Sequence, residues 1–128
     1  MRPLSKKHAR ILGDLTTGLD DEGHRRIDNT NGVFMPVVVE RIGSNRFSVA
    51  HYYEQNGDLV PDPDLEFVTN DGAWFPAAVT HSSGHRRVLT TDADGRITHW
   101  SPSEYADLRR LACLLLSNIK AQQGQLKP

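Results

Sequence analysis

Between Val33 and Trp100 apolar residues recur at every second position, and short turn sequences interrupt the runs: Gly43-Ser44-Asn45, Asn56-Gly57, Asn70-Asp71-Gly72 and Asp92-Ala93-Asp94-Gly95. This spacing constrains the fold more than any other feature. Parallel neighbours need a crossover of a dozen residues or more, so strands joined by such breaks must pair antiparallel. MPVVVERI, RFSVAHYYE, DLEFVT, AWFPAAVTH, HRRVLTT and RITHW are the predicted strands. Asn56-Gly57 is a hairpin signal because both residues tolerate positive φ. Pro61 and Pro63 place a loop ahead of DLEFVT. Alternation puts Phe47, Val49, His51 and Tyr53 on one face, with Ser48, Ala50, Tyr52 and Glu54 on the other.

A helical period brackets the strands. Leu4, His8, Ile11, Leu12, Leu15 and Leu19 predict a helix from Ser5 to about Thr17, with Ser5 as N-cap and Gly18 as terminator. The polar stretch DDEGHRRIDNTNG then reads as a long loop. Ser101-Pro102-Ser103-Glu104 marks the start of a second helix, running from Pro102 to about Ala121 on Tyr105, Leu108, Ala112, Leu115 and Ile119. Leu114 and Leu116 widen its apolar stripe, which calls for a second covering surface, either the first helix or a subunit partner in a homodimer. The expected fold is one α+β domain over residues 1–128, an antiparallel meander of five to six strands with an N-terminal and a C-terminal helix on one face.

Composition narrows the function classes. The 128 residues carry 15 Lys and Arg against 16 Asp and Glu, without the basic excess of a surface built wholly for phosphate backbone. Cys113 is the single cysteine, so no internal disulfide and no thiolate-rich zinc site can form. The basic start MRPLSKKHARILGDL lacks the apolar run of a signal peptide, and no segment approaches the roughly 20 apolar residues of a membrane span. A cytoplasmic protein without membrane association is expected.

The densest concentration of chemistry is HYYEQNGDLVPDPDLEF. Asp58, Asp62, Asp64 and Glu66 offer hard oxygen ligands, and His51 offers a proton acceptor near neutral pH, for which Asp62 or Asp64 across the hairpin is the more natural partner than Glu54. A Pro-Asp turn followed by Glu-x-Lys would suggest a metal-dependent nuclease, but Phe67 and Val68 follow Glu66. Asp92-Ala93-Asp94-Gly95 lacks the closing glutamate of a calcium loop, and His81 and His85 flank a turn, where their rings need not converge. Neither a nucleophile elbow nor a glycine-rich phosphate loop is present. No cofactor and no metal are expected. Candidate binding residues are His51, Tyr52, Tyr53, Glu54, Asn56, Asp58, Asp62, Asp64, Glu66 and Trp74. For nucleic acid the candidates are Arg25, Arg26, Arg86 and Arg87, from the twice-occurring Gly-His-Arg-Arg, which form one patch if the two segments converge. Their flanking sequences share nothing else that marks a repeat.

Ala50, His51, Tyr52, Glu54 through Leu59, Asp62, Pro63 and Phe67 together resemble the signature of an uncharacterised small bacterial domain family, AHYxEQNGDLxxDPxxxF. A similar Trp-x-Pro follows at Trp74 and Pro76. The resemblance implies a setting on plasmids, integrative elements and phages, and implies no activity or substrate. The residues favour a non-enzymatic module that binds a protein partner through the hairpin or the last helix. A nucleic-acid accessory role through the arginines and a metal-dependent hydrolase at the acidic hairpin are the alternatives.

Overall fold

The computed structural model describes residues 1–20, 22–32 and 34–124, and the side chains of these except at positions 53–55, 59 and 61. Helix α1 (Lys6–Thr16) is followed by strands β1 (His24–Ile27), β2 (Val37–Gly43), β3 (Arg46–Gln55), β4 (Asp58–Asn70), β5 (Ala73–His81) and β6 (Gly84–Arg87). Strands β7 (Leu89–Thr91) and β8 (Ile97–Trp100) and helix α2 (Pro102–Gln123) complete the chain. The first six strands form one antiparallel sheet in sequence order, and β7 and β8 form a separate two-stranded sheet. The expected α+β meander with two flanking helices is therefore the observed fold.

Its register follows from the turns. Asn56 and Gly57 take φ of 55° and 87°, and Asp71 and Gly72 take 52° and 82°. Positive φ at both central residues is the geometry whose twist matches that of the flanking strands. The alternation then sends Val37, Val39, Phe47, Val49, Leu65 and Phe67 into one core with Ile11, Leu12 and Leu15 of α1 and Leu108, Ala112, Leu115, Leu116 and Ile119 of α2. Leu116 is fully buried, whereas Leu114 stays 59% exposed. The widened stripe of α2 is thus only partly covered within the chain.

Three expectations need correction. The segment read as a loop between Asp20 and Gly32 contains β1, an edge strand whose His24, Arg25, Arg26 and Ile27 pair with Glu40, Val39, Val38 and Val37. Its polar sequence hides it, because an edge strand packs on few neighbours. The loop expected at Pro61 and Pro63 is strand: β4 begins at Asp58 and runs through both prolines. It accommodates them at a bulge, where Asp62 and Pro63 lie between the pairs Ala50–Asp64 and Tyr52–Pro61, opposite His51 alone. HRRVLTT is not one strand, since the chain leaves the large sheet at Val88. That residue donates its N–H to Ala77 and accepts from Ser101. The helix starts stand at their expected caps, but neither Ser5 nor Ser101 makes a side-chain cap bond; Ser5 Oγ bonds His8 Nδ1 instead, at 2.8 Å.

The end of α2 is pinned. Gln123 is 2% exposed, accepts the Asn29 N–H at 2.8 Å and donates to the Met35 carbonyl at 3.3 Å. Removing that amide deletes both of its hydrogen bonds to the β1–β2 connection. Gln123→Ala should lower the free energy of unfolding in urea by about 1–3 kcal/mol. Lys120→Ala, on the exposed side of the same turn, should change it by no more than about 0.5 kcal/mol.

Candidate functional site

Both helices pack on one face of the large sheet, leaving the other face open. Two complete rows of paired residues cross that open face. One runs His24, Glu40, Ser48, Glu66, Ala78, Arg87; the next runs Arg26, Val38, Ala50, Asp64, Thr80, His85. Carboxylates occupy the middle strands and basic residues occupy both edges. The small residues Ser48 and Ala78 flank Glu66, and a recess of about 150 Å³ forms over them, bordered by Glu40, Ile42, Tyr52, Asp64, Thr80 and His85.

The polar groups are mutually fixed. Arg87 reaches past Ala78 and donates to both oxygens of Glu66, at 2.6 and 3.0 Å, and Arg46 stands 3.7 Å from the same carboxylate. The Glu66 side chain is only 12% exposed, and a bidentate guanidinium provides the compensation that a half-buried carboxylate requires. Ser48 Oγ donates to Asp64 Oδ1 at 2.5 Å, and the Tyr52 hydroxyl bonds the same carboxyl. Burial pushes the Asp64 carboxyl above its ordinary range; the Ser48 and Tyr52 hydrogen bonds oppose the shift, and the Glu66 charge adds to it. Tyr52 is raised as well, by burial first and then by the charges of Asp64 and Glu40. Thr80 Oγ1 and His85 Nδ1 are hydrogen bonded at 2.8 Å.

The structure separates the expected hairpin site into parts. Tyr52, Asp64 and Glu66 come together on the open face. His51 and Asp62 do not join them. The bulge takes Asp62 out of phase with Asp64, and both His51 and Asp62 line a cleft beside α2. The two interact electrostatically: burial lowers the His51 pKa and the Asp62 charge partly opposes it. Asp64, the other partner considered for His51, lies across the sheet from it. Asn56 and Asp58 are exposed at the turn. The side chains of Tyr53 and Glu54 lie outside the described residues. Trp74 belongs to the core, 8% exposed and tilted against Phe47 at 5.5 Å between ring centres. Among the described residues no three His, Cys, Asp or Glu side chains gather closely enough to hold a metal ion.

The two arginine pairs do not converge. They stand on β1 and β6, the opposite edges of the sheet, five strand spacings or roughly 24 Å apart. Within each pair the alternation divides the labour. Arg25 turns to the helix layer and donates to the Leu15 and Thr17 carbonyls at the end of α1. Arg86 likewise approaches Glu104 in the first turn of α2, at 3.6 Å. Arg26 and Arg87 face the open side with His24 and His85. The residues that sequence reasoning missed at this site are Glu40, Ile42, Ser48, Thr80 and His85. The alternation of RFSVAHYYE already placed Ser48 beside Tyr52 and the turns marked where the strands reverse, but the bulges that decide which residues pair across β3, β4 and β5 were not marked.

A family model described as a domain of unknown function (DUF6908) matches residues 6–125. Neither the curated proteins nor the solved structures hold a match to the chain.

Carboxyl-resolved NMR titration should place the Asp64 midpoint above about 3.9, the ordinary aspartate value. Ser48→Ala removes a donor that favours the charged form, so it should move the midpoint further up. Because folding raises this pKa, the contribution to stability is present below the ordinary aspartate range and is lost as pH rises through the Asp64 midpoint. Wild type should therefore lose stability relative to Asp64→Asn across that interval.

Proposed function

The chain belongs to this family, whose description assigns no activity, and on the geometry above we propose that it is a non-enzymatic module that binds a protein partner on the open face of its sheet. The observation that carries this reading is the pair of register rows. A face six strands wide, uncovered by either helix, holds half-buried charged groups already fixed by one another. Such groups lose little further side-chain freedom on docking, which reduces the cost of association. Ile42 adds an exposed apolar contact beside the recess, and the edge cations with central carboxylates suit a partner of complementary charge pattern. The setting included in the reading is cytoplasmic, and by resemblance that of bacterial mobile elements. Among the described residues no helix is long and apolar enough to cross a membrane.

Nucleic acid is the less favoured partner, because the carboxylates of Glu40, Asp64 and Glu66 lie between the two basic edges and repel a phosphate backbone spanning them.

Co-purification of the tagged chain from its host, with and without nuclease, tests the proposal. A protein should be captured that survives nuclease, that is lost with Glu40→Lys and Ile42→Glu, and that is retained with Leu114→Glu. Capture abolished by nuclease, or retained by both open-face variants and lost with Leu114→Glu, would overturn the open-face reading.

A further inference from the structure

The recess on the open face is only partly neutralised by its own chain. Three carboxylates border it, those of Glu40, Asp64 and Glu66. Arg87 occupies both oxygens of Glu66, and Arg46 approaches the same group. Among the described residues no cation stands within ion-pair distance of Glu40 or Asp64. Asp64 is held by the Ser48 and Tyr52 hydroxyls, which bring no charge. The basic residue on the border, His85, is engaged at Nδ1 by Thr80. The rest of the lining is of a different kind: Tyr52 presents its ring and Ile42 an exposed alkyl chain.

We infer that the recess receives a lysine side chain of the protein partner, its methylene stem against Tyr52 and Ile42 and its ammonium among Glu40, Tyr52 and Asp64. The inference rests on the open-face reading and narrows it to one anchoring group. Charge complementarity selects a cation, because the two unneutralised carboxylates repel an anion. Geometry selects ammonium over guanidinium. The acceptors left open come one each from β2, β3 and β4. An ammonium points three donors in three directions, whereas the planar fork of arginine matches a single carboxylate. Size agrees with this. A cavity of roughly 150 Å³ accepts benzene; a lysine side chain has one heavy atom fewer than benzene, and an arginine side chain has one more. Lysine also lays its stem on apolar surface while its charge stays on polar groups, and the Tyr52 ring attracts a cation in its own right. Stacking a second copy of this chain over the whole face would set basic edge on basic edge and carboxylate on carboxylate, so the face does not pair with itself.

n-Butylammonium, a lysine side chain without its backbone, is the probe. It is titrated into the full chain at constant ionic strength while the carboxyl carbon signals are followed by NMR. Saturable shifts of the Asp64 and Glu40 signals are expected, with a fall in the Asp64 titration midpoint, because a neighbouring cation favours the charged carboxylate. 1-Butanol should bind roughly tenfold more weakly, the worth of one hydrogen bond to a charged group. n-Propylguanidinium, the arginine counterpart, should also bind more weakly. Glu40→Gln should weaken n-butylammonium about two- to fivefold, and Leu114→Glu, on the helix side, should leave it unchanged. Shifts that do not saturate, equal binding of 1-butanol, tighter binding of n-propylguanidinium, or indifference to Glu40→Gln would each overturn the lysine assignment. Partner capture that is still lost with Glu40→Lys and Ile42→Glu would in that event uphold the open-face reading, so the two fail separately.

Discussion

Everything on the open face depends on strand register. Side chains alternate with a period of two, so a slip of one residue between β3 and β4 would carry Leu65 and Phe67 to water and Asp64 and Glu66 into the core. The two tight turns at Asn56-Gly57 and Asp71-Gly72 hold that register locally. The apolar face, packed against both helices, holds it globally, because any other pairing exposes the core. The polar rows are the reverse side of the same constraint. Once the apolar residues are placed inward, His24, Glu40, Ser48, Glu66, Ala78 and Arg87 have only one way to line up.

The electrostatics follow from where the small residues fall in those rows. Ser48 and Ala78 leave room beside Glu66, so the Arg87 guanidinium can cross a strand and meet the carboxylate squarely. Asp64 has no cation of that kind. It is held by neutral hydroxyls from Ser48 and Tyr52, which compensate burial less completely, and its carboxyl is pushed up accordingly. Two carboxylates two residues apart on one strand are thus held by different chemistry, Glu66 by a guanidinium and Asp64 by hydroxyls.

Much of the architecture was legible in the chain. Period and turn chemistry identified both helices, the meander and the partition of β3 into two faces. The failures have specific physical causes. β1 carries His-Arg-Arg and a single apolar residue, Ile27, and is a strand only because β2 offers it an edge. Pro61 and Pro63 read as a loop because neither can donate to a ladder, yet a bulge absorbs them without ending the strand. That bulge also separates Asp62 from Asp64 and Glu66, with which the sequence groups it as a hard oxygen ligand. Trp74 offered no local sign of its burial, which depends on Phe47 in a strand two away across the sheet. The candidate site was legible as a stretch, but its true members come from five strands, and only the folded register brings them together.

The arginine pairs at the two edges have one more consequence. Four-residue edge strands have few pairings and are the places where a sheet slips most readily. In β1 and β6 the two consecutive side chains that face opposite ways are the same residue. A shift of one position would exchange Arg25 with Arg26, or Arg86 with Arg87, and would still present a guanidinium to the helix layer and another to the open face. The doubled arginine therefore offers a guanidinium to each side of the margin in either register, while in β1 the buried Ile27 still selects the observed one.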